Sequence, residues 1–316
     1  MQLNSDAILT LCSHLCTDDA VRPLEPAEWN RLEQRIATVR LRPADLFHLT
    51  FDDILCTLRL DAAAAERVLR LIDRSGRLRS VLASYESMGI VAVSRADVAY
   101  PQKLKETLGN RCPPFFYCAG NLPLPDKRYV GYVGSRAVSQ EDIDFTRATV
   151  RKTTAHGFGV VSGGAKGIDC AAETAALQYG CSVLEFLPDS MLKRMKLGAT
   201  ANAIRAGQLL LLSVANPDAD FNVGFAMMRN RFIYAQSCAT VVIRSDYNKG
   251  GTWSGAVDNL KHRWCKQLCR ADSPGLGNKA LIDRGAIPID EFWDGDVDIM
   301  EIPFNVRPEQ LSLFDE

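Results

Sequence analysis

Val160-Val161-Ser162-Gly163-Gly164-Ala165-Lys166-Gly167-Ile168-Asp169 is the stretch on which the reading of this chain turns. A short apolar run passes directly into a loop of three glycines, a hydroxyl and a cation. Ala171 to Tyr179 then has helical spacing and ends at Gly180. Upstream, Tyr129-Val130-Gly131-Tyr132-Val133 predicts a strand that leads into Gly134-Ser135-Arg136. Ser139, with Asp142 three residues later, predicts a capping box for a helix that stops at Gly157. Downstream, Ser182 to Leu187, Leu209 to Val214 and Thr240 to Ile243 predict further strands. A helix that begins at Arg229-Asn230-Arg231 is expected between the last two. Strands alternating with helices of this length imply a parallel sheet covered on both faces, a doubly wound α/β domain.

Residues 1 to about 95 have a different texture. Helices are expected over Asp6 to Leu15, from Pro26 through Ile36, from Pro43 through Phe47, from Ala62 to Ile72 behind an Asp61 cap, and from Ser80 to Met88. Ile90 to Val93 predicts a strand leading into the next unit. The chain therefore divides into an all-helical N-terminal domain (1–95), an α/β domain (96–297) and a tail (298–316). The 316 residues are 47% hydrophobic and 24% charged, an ordinary globular composition with a net charge of -1. Polyanion binding would then need locally concentrated cations rather than a global field. The ten cysteines are scattered, many within apolar runs, and neither a signal peptide nor a membrane-length apolar stretch is legible. The expectation is a reduced, cytoplasmic protein with no membrane association.

Ligands of such sheets bind beyond the carboxyl ends of the strands. Three loops fit that position: Gly134-Ser135-Arg136, Ser162 to Asp169, and Lys249-Gly250-Gly251-Thr252-Trp253-Ser254-Gly255. Glycines admit close backbone approach, and free N–H groups at helix starts favour anions. Ser135, Ser162 and Thr252 add hydroxyls, Arg136 and Lys166 add charge, and Arg229-Asn230-Arg231 adds two guanidiniums and an amide suited to phosphodiesters. The Ser162 loop lacks the Lys-Ser/Thr ending of a P-loop. No Gly-x-Gly-x-x-Gly follows the first strand, so neither nucleotide hydrolysis nor a dinucleotide cofactor is expected. Asp169 is expected to hold the glycine loop rather than act as a base. His262, Cys265 and Cys269 would share one helical face but supply only three zinc ligands, and Cys12, His14 and Cys16 fit core packing better than metal.

Tyr100-Pro101 with Leu104, Pro113-Pro114 and Gly120 resemble the lead-in of the DprA (Smf) family. The Gly134, Ser162 and Arg229 motifs and Asn278 to Ala286 are similar to that family's ordered motifs, over roughly residues 80 to 290. The resemblance implies an extended Rossmann-like, mainly parallel sheet, single-stranded DNA binding, homodimerisation and delivery of DNA to the RecA recombinase. It also implies a non-catalytic protein without a cofactor. By that resemblance Arg136, Lys166, Arg229 and Arg231 contact phosphates, and Ser135, Gly163 and Gly164 form the backbone cradle. Gly134, Ser162, Gly167, Asn230, Gly251 and Thr252 complete the candidate set. Lys166 stands where arginine is usual, and no winged-helix domain is read after the Rossmann-like unit, which marks a divergent member. Gln310-Leu311-Ser312-Leu313-Phe314 resembles the pentapeptide that bacterial proteins insert into the sliding clamp, with Gln310, Leu311, Leu313 and Phe314 as its contacts. Two other readings stay open: a nucleotide-phosphate binder or nucleotide-processing enzyme, and an adaptor recruited through the tail, in a phage-defence setting.

Overall fold

A computed structural model describes residues 2–16, 21–289 and 298–302. Five helices open the chain: α1 (Gln2–Cys12), α2 (Pro26–Thr38), α3 (Phe51–Thr57), α4 (Ala62–Asp73) and α5 (Ser75–Ser87). Asp61 caps α4 as expected, its carboxylate accepting from the Ala64 N–H at 2.8 Å. Pro43 to His48 forms a 3-10 turn rather than an α-helix, and α5 begins five residues before the expected Ser80. The charged group that ties these helices together is Arg74. Its buried guanidinium donates to the carbonyls of Thr10 (2.6 and 3.0 Å), Ser13 (2.7 Å) and Leu15 (3.0 Å) at the end of α1. A cation there satisfies carbonyls that the helix itself leaves open.

The remaining described chain alternates strands and helices. The strands are β1 (Val91–Ser94), β2 (Phe115–Gly120), β3 (Tyr129–Gly134), β4 (Gly159–Ser162), β5 (Val183–Leu187), β6 (Leu209–Ser213), β7 (Ala239–Arg244), β8 (Lys266–Cys269) and β9 (Ile287–Pro288). Between them run α6 (Gln102–Leu108), α7 (Gln140–Ala155), α8 (Ile168–Gln178), α9 (Met191–Met195), α10 (Gly198–Arg205), α11 (Val223–Gln236), α12 (Gly250–His262) and α13 (Leu276–Asp283). Together the strands form one sheet in the order β1-β2-β6-β5-β4-β3-β7-β8-β9. Every pairing from β6 to β9 is parallel; β1 and β2 join antiparallel at one edge. The chain builds outward from β3 through β6, then crosses to the other side of β3 to lay down β7. That reversal opens a crevice at the carboxyl end of β3.

Strand side chains alternate between two apolar layers. Val130 and Tyr132 enter one with Val150 of α7 and Ile168 of α8; Tyr129 and Val133 enter the other with Phe232 of α11 and Trp253 of α12. Burial on both faces explains why these strands are almost unbroken apolar runs. The first layer also contains Leu11, Trp29, Ile54 and Leu71, so the N-terminal helices and the sheet share a core. β1, assigned by sequence to the helical segment, pairs with β2 through Val91 and Cys118. The Tyr117 hydroxyl meets Ser13 Oγ at 2.9 Å and fastens α1 to β2.

Cys265 and Cys269 do not share a helical face with His262. The helix ends at His262, Arg263 turns the chain through φ +53°, and Cys269 closes β8. No group of three potential metal ligands exists among the described residues. All ten cysteines are free. Among the described residues, no helix is long and apolar enough to cross a membrane. The tail residues Gln310 to Phe314 lie outside the described residues.

Arg74→Met removes every donor to the α1 carbonyls while keeping most of the apolar stem. It should lower stability by about 3 kcal/mol, since buried acceptors lose their partners, and urea unfolding followed by circular dichroism measures the loss.

Candidate functional site

Three loops leave the carboxyl ends of the adjacent strands β4, β3 and β7, and they fit together through atoms that glycine alone permits. A Cβ on Gly134 would lie 2.4 Å from Ile168 Cγ1, so the β3 loop can rest on the first turn of α8 only without a side chain. Gly167 (φ +85°) faces the Ser135 carbonyl at a distance no Cβ tolerates. From the other side, Thr252 Oγ1 donates to the Gly134 carbonyl at 3.0 Å, and the Ser135 N–H donates to the Arg244 carbonyl at 3.0 Å. Asn230 Nδ2 donates to the Gly251 carbonyl at 3.3 Å, which ties α11 to the start of α12.

The Gly163-Gly164 turn sits on buried acids. The Asp169 carboxylate accepts from the N–H groups of Gly163 (3.2 Å) and Ala165 (3.4 Å) and from Arg229 Nη1 (3.4 Å). Glu173 accepts from the Gly164 N–H at 3.1 Å, and Ser162 Oγ accepts from the same group at 3.2 Å. Arg194 Nη2 donates to Glu173 and Glu185, 2.9 Å each. Three carboxyls thus share two guanidiniums. Burial pushes the Glu173 carboxyl well above its ordinary range, reinforced by the charge of Glu185. Burial raises Glu185 as well, against the pull of Arg194, and raises Asp169 against the pull of Arg229. Uptake of one proton among these acids would balance the three carboxyls against the two guanidiniums.

Two clefts open over these acids. One, of about 440 Å³, runs between the β3 loop and the starts of α11 and α12, past Ser135, Arg136, Asn230, Lys249 and Thr252. The other, of about 700 Å³, runs past Gly163, Gly164, Lys166, Ser190 and Lys193. Arg136, Ala165, Phe221 and Arg229 line both, so the clefts meet there. Several of the cations are already paired: Arg229 with Asp169, Arg194 with the two glutamates, Arg244 with Asp142 and Lys193 with Asp220. Arg136, Lys166 and Lys249 are exposed, and among the described residues none of them makes an ion pair.

The arrangement gathers Gly134, Ser135, Arg136, Gly163, Gly164, Lys166, Arg229, Asn230, Gly251 and Thr252 around one crevice. Gly167 lies beneath it as a packing contact. Ser162 is fully buried, so its hydroxyl serves the loop rather than the cleft. Arg229-Asn230-Arg231 does not begin a helix. Asn222 caps α11 seven residues earlier, its side chain accepting from Gly224 and Phe225, so the triplet lies mid-helix. Two residues along a helix turn a side chain by about 200°, and Arg231 accordingly lies over the Trp264 ring, away from both clefts. Asp169 holds the glycine loop, as expected. Sequence reasoning passed over Phe221, 53% exposed where the clefts meet, and Arg244 at the end of β7. Neither carries a local motif; Arg244 could have been found only as the last residue of a strand whose loop was already suspected.

The family model of DNA recombination-mediator protein A matches residues 91–294. DNA processing protein A of Streptococcus pneumoniae has a similar structure, with a TM-score of 0.63 at 22% identity over 84% of this chain and 94% of that one. DNA processing protein A of Helicobacter pylori, whose structure is described for its single-stranded DNA binding mode, gives a TM-score of 0.51 at 24% identity over 64% of this chain and 91% of that one. At these identities the structural likeness establishes the fold. No curated protein matches the chain in sequence.

The raised carboxyls carry a pH signature. A carboxyl that keeps its proton in the folded state, at pH values where the unfolded chain has lost it, contributes stability that is complete below the ordinary carboxylate range. That contribution is lost as the pH rises through the raised value. Glu173→Gln cannot ionise, so its stability relative to wild type should increase as the pH rises above the ordinary carboxylate range, read as the difference between urea midpoints. A constant difference would mean that Glu173 takes up no proton on folding.

Proposed function

The chain belongs to the DNA recombination-mediator protein A family, and from that premise we propose that it holds single-stranded DNA by its phosphates across the two joined clefts. Family membership places it among mediators of DNA recombination rather than among enzymes. The observation that carries the reading is the meeting of three glycine-containing loops at one sheet edge, with Arg136, Lys166 and Lys249 exposed and, among the described residues, free of ion pairs. Unpaired, exposed cations attract phosphate without first breaking a salt bridge, and backbone N–H groups beside glycines come within reach of phosphate oxygens. A cleft of about 440 Å³ has the size of a nucleotide site. A flexible strand can thread its phosphates along such a crevice one after another. Arg136 and Lys166 make the phosphate contacts in this reading; Arg229, paired with Asp169, holds the glycine turn in place behind them.

Family membership also supports two partners, a second copy of the chain and the RecA recombinase, to which the bound strand is handed. The pentapeptide Gln310 to Phe314 supplies a third contact, with the sliding clamp, because its two leucines and phenylalanine need a partner to leave water. The competing reading, a binder of free nucleotides, rests on the size of the same cleft.

A fluorescent oligonucleotide titrated at several salt concentrations, with mononucleotides as competitors, separates the two. Phosphate neutralisation gives an affinity that falls with salt by about 0.7 log units per log unit for each phosphate contacted. Arg136→Ala with Lys166→Ala should therefore reduce the slope by about 1.4 and change folding stability by less than about 0.5 kcal/mol. Unchanged affinity and slope in the double variant, or full displacement by one mononucleotide, overturns the proposal. Deletion of residues 310 to 314 should abolish retention on immobilised sliding clamp and leave DNA affinity intact; retention of the truncated chain removes the clamp contact.

A further inference from the structure

A second cationic surface lies at the opposite end of the strands. Trp264 follows the left-handed Arg263 and precedes β8, so it occupies the amino-terminal edge of the sheet, whereas the three site loops leave the carboxyl-terminal edge. The strands between the two edges are four to six residues long, a separation of roughly 13–20 Å. The exposed His262 ring stacks on Trp264, with centroids 4.8 Å apart and planes 4° apart. The guanidinium carbons of Arg111 and Arg231 each lie 5.9 Å from the Trp264 centroid. Lys103 lies on the same side, near Cys265, whose thiol burial pushes up to about 12 against the pull of Thr240 and that cation, and Lys261 and Arg263 flank His262 in the chain.

Among the described residues, none of Lys103, Arg111, Arg231, Lys261 and Arg263 forms an ion pair. Glu106 and Asp258, carried by α6 and α12, are not within ion-pair distance of them; the nearby Asp258 backbone carbonyl instead engages His262 Nδ1 at 2.9 Å. Among the described residues, the buried atoms Arg231 Nε and Trp264 Nε1 lack an acceptor. In a chain whose net charge is -1, such a grouping has segregated cations from anions. Arg231 is half-buried; among the described residues, more deeply buried arginines have acceptors for at least part of their guanidinium: Arg74 has three carbonyls, Arg229 has Asp169, and Arg270 has Glu141, Asp142 and Asp272. Among the described residues Arg231 has the Trp264 ring but no hydrogen-bond acceptor, which leaves its donors for an incoming one.

We propose that this surface is a second nucleic-acid site, which takes the phosphodiester backbone of another single-stranded segment on Arg111, Arg231 and Arg263, with a base against the His262 ring. The combination of unpaired cations and a stacked aromatic pair matches a strand with exposed bases, because bases stack and phosphates pair. An acidic peptide would use the charges and leave the aromatic ring without a partner. One molecule then holds two DNA segments at opposite edges of its sheet and brings them together without the two competing. The polymer is the one assigned to the clefts above, so the inference rests on that reading for its ligand, but it uses none of the same residues.

Binding stoichiometry and bridging test it with the full chain. Two oligonucleotides carrying different fluorophores are mixed with the protein, and both the number bound per chain and the energy transfer between them are measured. Wild type should bind two and bridge them. Arg111→Glu with Arg263→Glu alters exposed positions only; it should bind one, lose bridging and keep binding that the Arg136→Ala, Lys166→Ala variant lacks. Arg231→Gln should weaken the second event on its own, at least tenfold. Two oligonucleotides bound by the Arg111→Glu, Arg263→Glu variant with a wild-type salt slope overturn the proposal, as does capture of a polyglutamate peptide at this patch with no second oligonucleotide. If instead the Arg136→Ala, Lys166→Ala variant keeps both events, the cleft reading fails while this surface stays subject to its own variants.

Discussion

Arg229 occupies the space that any side chain at position 163 would need. A Cβ there would come within 1.3 Å of its guanidinium, and one at position 164 would come within 2.0 Å of the Glu185 carboxylate. The turn after β4 therefore lies directly on charged side chains, with its N–H groups accepted by Asp169 and Glu173 from below. That contact sets the height of Lys166, the entry of α8 and, through Ile168 and Gly167, the seat of the β3 loop that carries Arg136. The rest of the crevice depends on this meeting of bare backbone and buried charge. Such networks fix geometry only when their members are satisfied, which is the reason the bonds from Arg194 to Glu173 and Glu185 matter beneath the turn.

A near-neutral overall charge is compatible with locally concentrated cations because of where pairing happens. Acids are spent inside the fold, on Arg229, Arg194, Arg244 and Arg270, so that, among the described residues, exposed cations at two sheet edges stay free of ion pairs. Composition reports the sum of these charges and is blind to their arrangement. The same logic separates Arg229 from Arg231: two residues apart in sequence, they face an acid on one side of α11 and an indole on the other.

The N-terminal helices are fastened to the sheet that carries the site. Arg74 closes the end of α1, Ser13 reaches Tyr117, and Arg95 reaches Asn30 at 2.6 Å and the Pro113 carbonyl at 3.0 Å. These ties make the antiparallel strands β1 and β2 an extension of the parallel sheet, and they keep the edge of β6 covered.

By itself the sequence determined the class of fold and the chain positions of the three loops. Apolar runs at strand length, glycines at their ends and capping signals such as Ser139 with Asp142 act over a few residues, and those local forces survive in any context. It also marked Asp169 as the support of its loop, since one helical turn is a local distance. The tertiary structure decided what each polar side chain does once it is there. Ser162 turned inward because Gly164 needed an acceptor, and the helix bearing Arg229 started at Asn222, where a side-chain oxygen could cap it. Arg231 was drawn to Trp264, and His262 was parted from Cys269 by a left-handed turn. Each of these outcomes depends on a partner distant along the chain or on the phase of a helix, and no window of sequence contains that information.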